Sequence, residues 1–512
     1  MHFRTLRLRI KDDEGTPALV DHPLVRAAAS GKARTLDRSE SCYDTPDLGL
    51  RGRGFMLTAR RLGGKWLGSI TSLGAGEEIG KDWECGATDA PPDWSDAKKH
   101  LPVGAWEGIK GKNLESQFEI ERLEERWRLE FPDGARLNIR ELRGALRCGT
   151  VKRVFHEVVL DSLTPTPNRF FHTALALARH FSAAVEPLNP ANRGFVRRDP
   201  TLLTAVPWSG NRVGAGAGAL EALSGGGESL LRLMLENLAP LVYGNEETRL
   251  AATSHLLWAV VRLRSLIGLF HHLMPEKLRQ DMETELQWLA GELAPVLEWH
   301  GMKQTLLMPM TGRFPEYPQL VPLMEKVEKK KKAAFKQAVG VVESFRFTQL
   351  LLGFGSWLIG VEGLKAALQD FDPLSRERVN ESAEGVLREG LRRWHKLLGD
   401  QGRKYWRETP VGEPVELLAW ANGMAHALTL FPLMFTDRKH QRHQTALDGL
   451  ERALTGMARL ADEQRSWSRL VSGKEDGGVR SLFNGWQGAR MERGWMDGRQ
   501  AWETFLASPM PY

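Results

Sequence analysis

The sequence predicts an α+β protein in which an antiparallel β-sheet is followed by an α-helical bundle. Three observations support this prediction: alternating apolar and polar residues before residue 200, a stretch of small residues at 201–228, and helical periodicity from residue 229 onward. We therefore expect a sheet domain at 1–200, a flexible linker rich in Gly and Ala at 201–228, and a helical domain at 229–512.

The first 200 residues carry the strand signal. Leu6, Leu8 and Ile10 alternate with polar residues in TLRLRIK, and the same period of two recurs in ARLNIRE and FHEVVL. This alternation is typical of strands with one buried face. Turn residues such as Gly63-Gly64 separate the segments, and one helical stretch occurs at 170–181. An antiparallel sheet with few helices follows from this pattern.

The pattern changes at GAGAGA (214–219) and SGGG (224–227), where neither period continues. Flexibility is the simplest interpretation of such a composition. Beyond it, apolar residues recur at helical spacing in six long segments, at 230–242, 255–273, 278–299, 338–360, 415–435 and 445–464. These segments predict a helical bundle.

Composition and charge exclude several classes of protein. The 512 residues contain 70 Lys+Arg and 64 Asp+Glu, and a net charge of +6 spread over this length predicts no specific nucleic-acid partner. Cys42, Cys85 and Cys148 lie too far apart to indicate a disulfide framework or a zinc site. The sequence also shows neither a secretory signal nor a membrane span. We expect a cytoplasmic protein without a membrane partner.

Three segments of the first part resemble the CYTH, or triphosphate-tunnel, family. YDTPDLGLRGRGFMLTARRLGGKW (43–66) is similar to that family's strand-turn segment, FHEVVLD (155–161) to its alternating Glu strand, and ANRGF (191–195) to its closing element. The helical part resembles a CHAD domain, whose His- and Arg-bearing helices bind polyphosphate, best at RLRSLIGLF (262–270) and 343–358. The resemblance implies an eight-stranded antiparallel barrel that encloses a tunnel, and bacterial inorganic triphosphatases share this organisation.

Active CYTH members hydrolyse triphosphate with Mg²⁺ or Mn²⁺ held by carboxylates on inward-facing strand positions. Their first strand carries Glu-x-Glu-x-Lys, where this sequence has Thr5, Arg7 and Arg9. Both carboxylates are missing there, and the acidic position before the family's turn, at Gly144 here, is Leu142. If a metal-dependent activity remained, the resemblance implies that its metal ligands would be Glu157, Asp161, Asp82 and Glu84.

The phosphate-binding positions are also depleted. The family's Lys and Arg are replaced at Thr58, Thr71, Gly80, Glu124 and Pro190. The guanidinium groups that could still bind a phosphate anion are those of Arg7, Arg9, Arg60 and Arg193. The alternative is that Arg7 and Arg9 pair inside the barrel with the remaining carboxylates, Glu157, Asp161, Asp82 and Glu84.

The first long helix of the helical part keeps Arg262 and Arg264, but the segment before them, LLWAVV, is apolar. The sequence therefore predicts a CYTH/CHAD protein with impaired or lost hydrolysis that serves as a phosphate-anion-binding or interaction module. Its ligand would be triphosphate, polyphosphate or another small anion, and no cofactor is required. Two alternatives stay open: a metal-dependent inorganic triphosphatase that forms diphosphate and phosphate, and a scaffold that binds a protein partner through its helical domain.

Overall fold

The structure is a computed structural model that describes the chain except residues 1–4, 12–15, 74–81, 101–105, 108, 110–112, 165, 212, 360–380, 408–413, 437, 472–476, 509 and 511–512. The chain folds into two compact units. The sheet unit comprises Met1–Thr204 with two short later segments, Val242–Asn245 and Glu343–Leu352. The helical unit comprises Ala205–Leu241, Glu246–Val342 and Gly353–Tyr512.

The sheet unit contains an antiparallel sheet in which neighbouring residues of each strand face opposite sides. Its strands are β1 (Thr5–Arg9), β2 (Arg34–Asp44), β3 (Phe55–Leu62), β4 (Lys65–Ser72), β5 (Trp83–Ala87), β6 (Glu115–Glu130), β7 (Arg136–Cys148), β8 (Val151–Ser162) and β9 (Ala184–Val185). The helices of this part of the chain are α1 (Pro23–Ala28), α2 (Gly49–Gly52), α3 (Ala97–His100), α4 (Pro167–Phe181) and α5 (Pro190–Arg198). The predicted antiparallel sheet is confirmed.

The described strands form an open order of nine, β5-β4-β3-β2-β6-β7-β8-β1-β9, and the expected closed barrel of eight strands is not confirmed. The reason lies at β1, because a strand has only two edges for pairing. One edge of β1 pairs with β8, and the other pairs with β9 through Leu8 with Val185 and Arg9 with Ala184. Among the described residues, β1 therefore pairs with β8 and β9 and not with β5.

Each face of the sheet carries its own apolar cluster. One face packs Phe118, Leu142 and Val159 against Phe195 of α5, and all four side chains are at most 3% exposed. Leu8 and Leu160 lie on the opposite face and are fully buried. Gly144, which the resemblance placed at a turn, instead lies inside β7 opposite Phe155 of β8.

Helices, most of them long, dominate the later part of the chain. They are α6 (Ala219–Tyr243), α7 (Glu246–Leu269), α8 (Glu276–Gly301), α9 (Met308–Arg313), α10 (Leu320–Val342), α11 (Phe345–Leu358), α12 (Ala383–Tyr405), α13 (Val415–Leu430), α14 (Arg438–Leu470) and α15 (Gly477–Ala507). A π-helical turn, Met302–Leu307, joins α8 to α9. The predicted helical region is confirmed.

The interpretation of 201–228 as a flexible linker requires correction at its C-terminal end. Helix α6 begins at Ala219 and includes the SGGG run at 224–227. These glycines are positions of close packing, because a Cβ atom at Gly227 would lie 2.8 Å from Leu358 Cδ1 and one at Gly225 would lie 2.6 Å from Val213 Cγ2. Glycine is present there because neighbouring side chains occupy the space.

One described helix, α7, is long and apolar enough to cross a membrane by length and composition, with a mean hydropathy of 1.2 over its best window. The sequence predicted no membrane span. Leu256, Ala259 and Leu263 of α7 are fully buried within the protein, as in the core helix of a soluble protein. Length and composition alone are therefore weak evidence that α7 spans a membrane. The cytoplasmic location stays a prediction.

We expect the helical unit to lose stability at acidic pH because it contains buried histidines. His443 on α14 is fully buried, with Nδ1 2.8 Å from the Ser508 hydroxyl oxygen. Burial, together with the nearby His395 and His440, lowers the pKa of His443 to about 4. Since the unfolded chain binds this proton near pH 6.5, stability falls as the pH drops from about 6.5 to 4, by about 3 kcal/mol for a shift of this size.

Urea denaturation of the wild type and His443→Asn at pH 7, 5 and 4 measures this contribution. The variant should lose less stability between pH 7 and pH 4 than the wild type, because it lacks the titrating ring. His172→Asn, at an exposed position of α4, serves as the control and should keep the wild-type pH dependence. Equal pH dependence in wild type and His443→Asn would contradict the prediction.

Candidate functional site

One face of the sheet, which we call the charged face, brings the predicted site residues of β1 and β8 together with charges from β7 and β6. Arg7 lies beside Val159, and Val159 beside Arg140. Glu157 belongs to the same face, two residues from Val159, and lies beside Arg9. Alternation along each strand puts these residues on one face, and the strand register fixes their neighbours.

Glu157 is the centre of a buried ion cluster on the charged face. Its side chain is fully buried, and Arg7 Nη1 lies 2.5 Å from Glu157 Oε2. Arg193 of α5 donates a short hydrogen bond to the other carboxylate oxygen. Burial lowers the pKa of Arg7 below its ordinary value, although the adjacent Glu157 charge opposes this change. Glu157 therefore bridges two guanidinium groups that are themselves mostly buried.

The cluster extends to Glu186, which follows β9 and whose side chain is 1% exposed. Arg193 Nη1 lies 3.3 Å from Glu186 Oε2, and Arg9 Nη1 lies 3.7 Å from the same oxygen. Burial lowers the pKa of Arg193, but the charges of Glu157 and Glu186 outweigh it, so the pKa is raised overall. Burial also raises the pKa of Glu186, against the lowering effect of Arg193.

A second group of ion pairs follows the charged face toward β6. Asp161 Oδ1 accepts a hydrogen bond of 2.8 Å from the Thr5 hydroxyl, and Asp161 Oδ2 lies 2.9 Å from Arg140 Nη2. Glu124 of β6 is 1% exposed, with Arg126 Nε 2.6 Å from its Oε1. Burial raises the pKa of Glu124, but the hydrogen bond and charge of Arg126 outweigh it, so the pKa is lowered overall.

The remaining predicted site residues form separate pairs. Arg60 of β3 binds Asp82, and Glu84 Oε2 lies 2.8 Å from Lys65 Nζ. Thr58, at a depleted phosphate position, shares a 2.9 Å hydrogen bond with Ser69. Gly80, which was placed at another of these positions, lies outside the described residues. The structure thus joins Arg7, Arg9, Arg193 and Glu157 in one cluster, while Asp161, Asp82 and Glu84 each belong to a different pair.

The four predicted metal ligands do not fit a divalent metal ion. Each of the four predicted ligands, Glu157, Asp161, Asp82 and Glu84, already contacts an Arg or Lys side chain. Within the described part of the chain, no group of three or more His, Cys, Asp and Glu side chains could hold a metal. Mg²⁺ dehydrates reluctantly and needs several oxygen ligands free to face it. Here a cationic side chain contacts at least one oxygen of each of these carboxylates.

Three residues of the site were not predicted from the sequence: Glu186, Arg140, and Tyr243, whose hydroxyl lies 2.9 Å from both carboxylate oxygens of Glu186. Glu124 was predicted only as a lost phosphate ligand. The alternating charges of ERLEER in β6 do place Glu124 and Arg126 on the same face of that strand. Glu186 follows a two-residue strand, and Tyr243 ends a long helix. No local pattern marks either of them, since both reach the cluster through tertiary contacts.

The helical unit contains a partly buried arginine, Arg262, on an apolar helix. Arg262 of α7 lies with its guanidinium carbon 3.3 Å from the centre of the Trp258 ring. Burial lowers the pKa of Arg262 to about 9, and the charge of Glu451 only partly opposes this effect. Among the described residues, no carboxylate comes within ion-pair distance of Arg262. A desolvated guanidinium in this state can accept an anion.

Comparison with known proteins gives a family match in the helical part of the chain. The CHAD domain family model matches residues 232–462. A solved CHAD domain from the plant Ricinus communis shares 18% identity and a TM-score of 0.49, covering 60% of this chain and 99% of that one. The PptA protein from Streptomyces chartreusis shares 13% identity and a TM-score of 0.41, covering 56% of this chain and all of that one.

A protein from Hippeastrum, described as an adenylyl cyclase candidate with a dominant triphosphatase activity, is also similar. It shares 15% identity and a TM-score of 0.23, covering 38% of this chain and 95% of that one. No curated protein matches the sequence. Since each of these TM-scores is below 0.5, the assignment depends on the family match. Residues 232–462 therefore match the CHAD domain family, which confirms the resemblance of the helical part of the sequence.

Proposed function

We propose that this chain is a CYTH/CHAD protein whose sheet unit does not hydrolyse triphosphate and serves as a non-catalytic interaction module. One observation carries the proposal: Glu157, the candidate metal ligand with the strongest family match, is buried between Arg7 and Arg193. A metal ion at Glu157 would have to displace two guanidinium groups and would face their charges. The CYTH resemblance of the sequence supports the assignment of the sheet unit.

The charged face also favours internal neutralisation over a preformed anion site. Arg7, Arg9, Arg60 and Arg193, the four candidate phosphate-binding residues, each contact at least one carboxylate. A triphosphate ion would have to displace these carboxylates from the guanidinium groups that they already contact. We infer that the sheet unit is stable without a ligand and binds triphosphate weakly.

A second candidate function concerns the CHAD domain. Arg262 is partly buried, has no carboxylate within ion-pair distance among the described residues, and stacks on Trp258. This arrangement favours binding of a phosphate-containing anion at α7. Triphosphate or polyphosphate would have the required chemistry.

Phosphate release from triphosphate in millimolar Mg²⁺ or Mn²⁺, measured beside calorimetric binding in EDTA, tests both functions. We expect no release above the buffer rate, and we expect Mg²⁺ to leave the melting temperature unchanged. Any binding in EDTA should weaken at least about tenfold in Arg262→Gln, since one charge-assisted contact is lost. Metal-dependent release that Glu157→Gln abolishes would overturn the main proposal.

A further inference from the structure

Two segments that follow the sheet in sequence belong to the sheet unit and reach its arginine cluster. Val242–Asn245 brings Tyr243, whose hydroxyl donates to the Glu186 carboxylate with both oxygens at 2.9 Å. Glu343–Leu352 brings Glu343, whose Oε1 lies 2.8 Å from Arg9 Nη1. The ion cluster around Glu157 is therefore completed by residues from outside the first 204 positions.

A buried hydrogen bond holds the second segment beside β9. The Val185 backbone N–H donates to the Thr348 hydroxyl oxygen at 2.9 Å, and Thr348 is fully buried. In the next residue, the Glu186 N–H donates to the Arg7 carbonyl at 2.9 Å. Thr348 thus binds a backbone N–H of the edge strand β9. This contact holds the segment that contains Glu343 beside the Arg9 guanidinium.

The charges of the cluster balance only when Glu343 is present. Arg7, Arg9 and Arg193 face Glu157, Glu186 and Glu343, so three guanidinium groups meet three carboxylates. Glu157 and Glu186 are at most 1% exposed, whereas the Glu343 side chain is 31% exposed and that of Arg9 is 27% exposed. The Arg9 to Glu343 pair is therefore the part of the cluster that solvent and solutes can reach.

A carboxylate and a phosphate oxygen make the same kind of contact with a guanidinium group. We propose that Glu343 is a tethered competitor that occupies Arg9, and that its withdrawal opens a site for a small phosphate-containing oxyanion at Arg9. The site would then carry an uncompensated positive charge next to solvent. This inference rests on the proposed function, in which the sheet unit does not hydrolyse triphosphate and binds it weakly while its arginines are paired with carboxylates.

Calorimetric titration of triphosphate into the full chain in EDTA tests the proposal. Glu343→Gln should bind triphosphate about tenfold more tightly than the wild type, within the usual range of coupling between two sites. The gain should vanish in the double variant Glu343→Gln with Arg9→Gln. The matched control is Glu325→Gln, which makes the same change at an exposed position of α10 and should leave binding at the wild-type value.

The proposal is overturned if Glu343→Gln, with a wild-type melting temperature, shows no gain in affinity. A gain that persists without Arg9 also overturns it, since the anion would then bind elsewhere. If Glu343→Gln does not fold, Glu343→Ser is measured with the same two outcomes. Failure of the proposed function would be seen in a different experiment, the phosphate-release assay, as metal-dependent release by the wild type.

Discussion

Replacing Glu157 with Gln should lower the free energy of unfolding by about 3–5 kcal/mol, the usual cost of leaving a buried charge without its partner. The carboxylate is fully buried between Arg7 and Arg193. A neutral amide cannot neutralise either guanidinium, and Arg7 is itself only 13% exposed. Two cations would then face each other with one fewer negative charge in a medium that screens poorly.

The sign of this change separates the two interpretations of Glu157. In a metal site without its metal, carboxylates repel one another, and Glu→Gln relieves that repulsion and stabilises the fold. In an ion cluster with arginines, the same substitution destabilises it. Urea denaturation at pH 7 of wild type and Glu157→Gln measures the difference. Equal or greater stability of the variant would rule out the neutralised cluster.

Glu84→Gln is the matched control, because Glu84 was also a predicted metal ligand. Its side chain is 53% exposed and contacts Lys65, which is 57% exposed. An exposed ion pair of this kind contributes about 0–1 kcal/mol. We therefore expect a small change at Glu84 and a large one at Glu157, although both were assigned the same role from the sequence.

Gly144→Ala should lower the free energy of unfolding of the sheet unit by more than about 4 kcal/mol, a loss that only a severe steric overlap or a comparable defect causes. A Cβ atom at Gly144 would lie 2.0 Å from the Glu121 carbonyl oxygen and 2.9 Å from Arg122 Cα. Both atoms belong to the backbone of β6, so no side-chain rotation relieves the overlap. Strands β6 and β7 would have to separate where Arg122 pairs with Gly144.

Thermal melting followed by circular dichroism measures this effect, and loss of a cooperative transition is the most severe outcome. Gly291→Ala on α8 is the control, because nothing lies within 4 Å of a Cβ atom there. In a helix interior that substitution should stabilise by about 1 kcal/mol. A Gly144→Ala variant as stable as the wild type would show that β6 and β7 do not approach this closely.

The sequence was sufficient for the class of each part of the chain. Alternation in TLRLRIK and FHEVVL predicted β1 and β8, and these strands pair through Arg7 with Val159. Local periodicity works here because it records which residues of a strand share one face. Gly225 and Gly227 show the limit of local periodicity. Their composition suggests flexibility, but close packing against Val213 and Leu358 explains why they are glycines.

By itself, the sequence determined that the family's metal carboxylates are missing from the first strand and that arginines stand there instead. Only the tertiary structure decided what those arginines do. Arg7 binds Glu157, 150 residues away, and Arg9 binds Glu343, still further along the chain. The partner of a buried charge depends on strand register and on which distant segment closes the site. Both follow from packing of the whole chain, which a local pattern does not record.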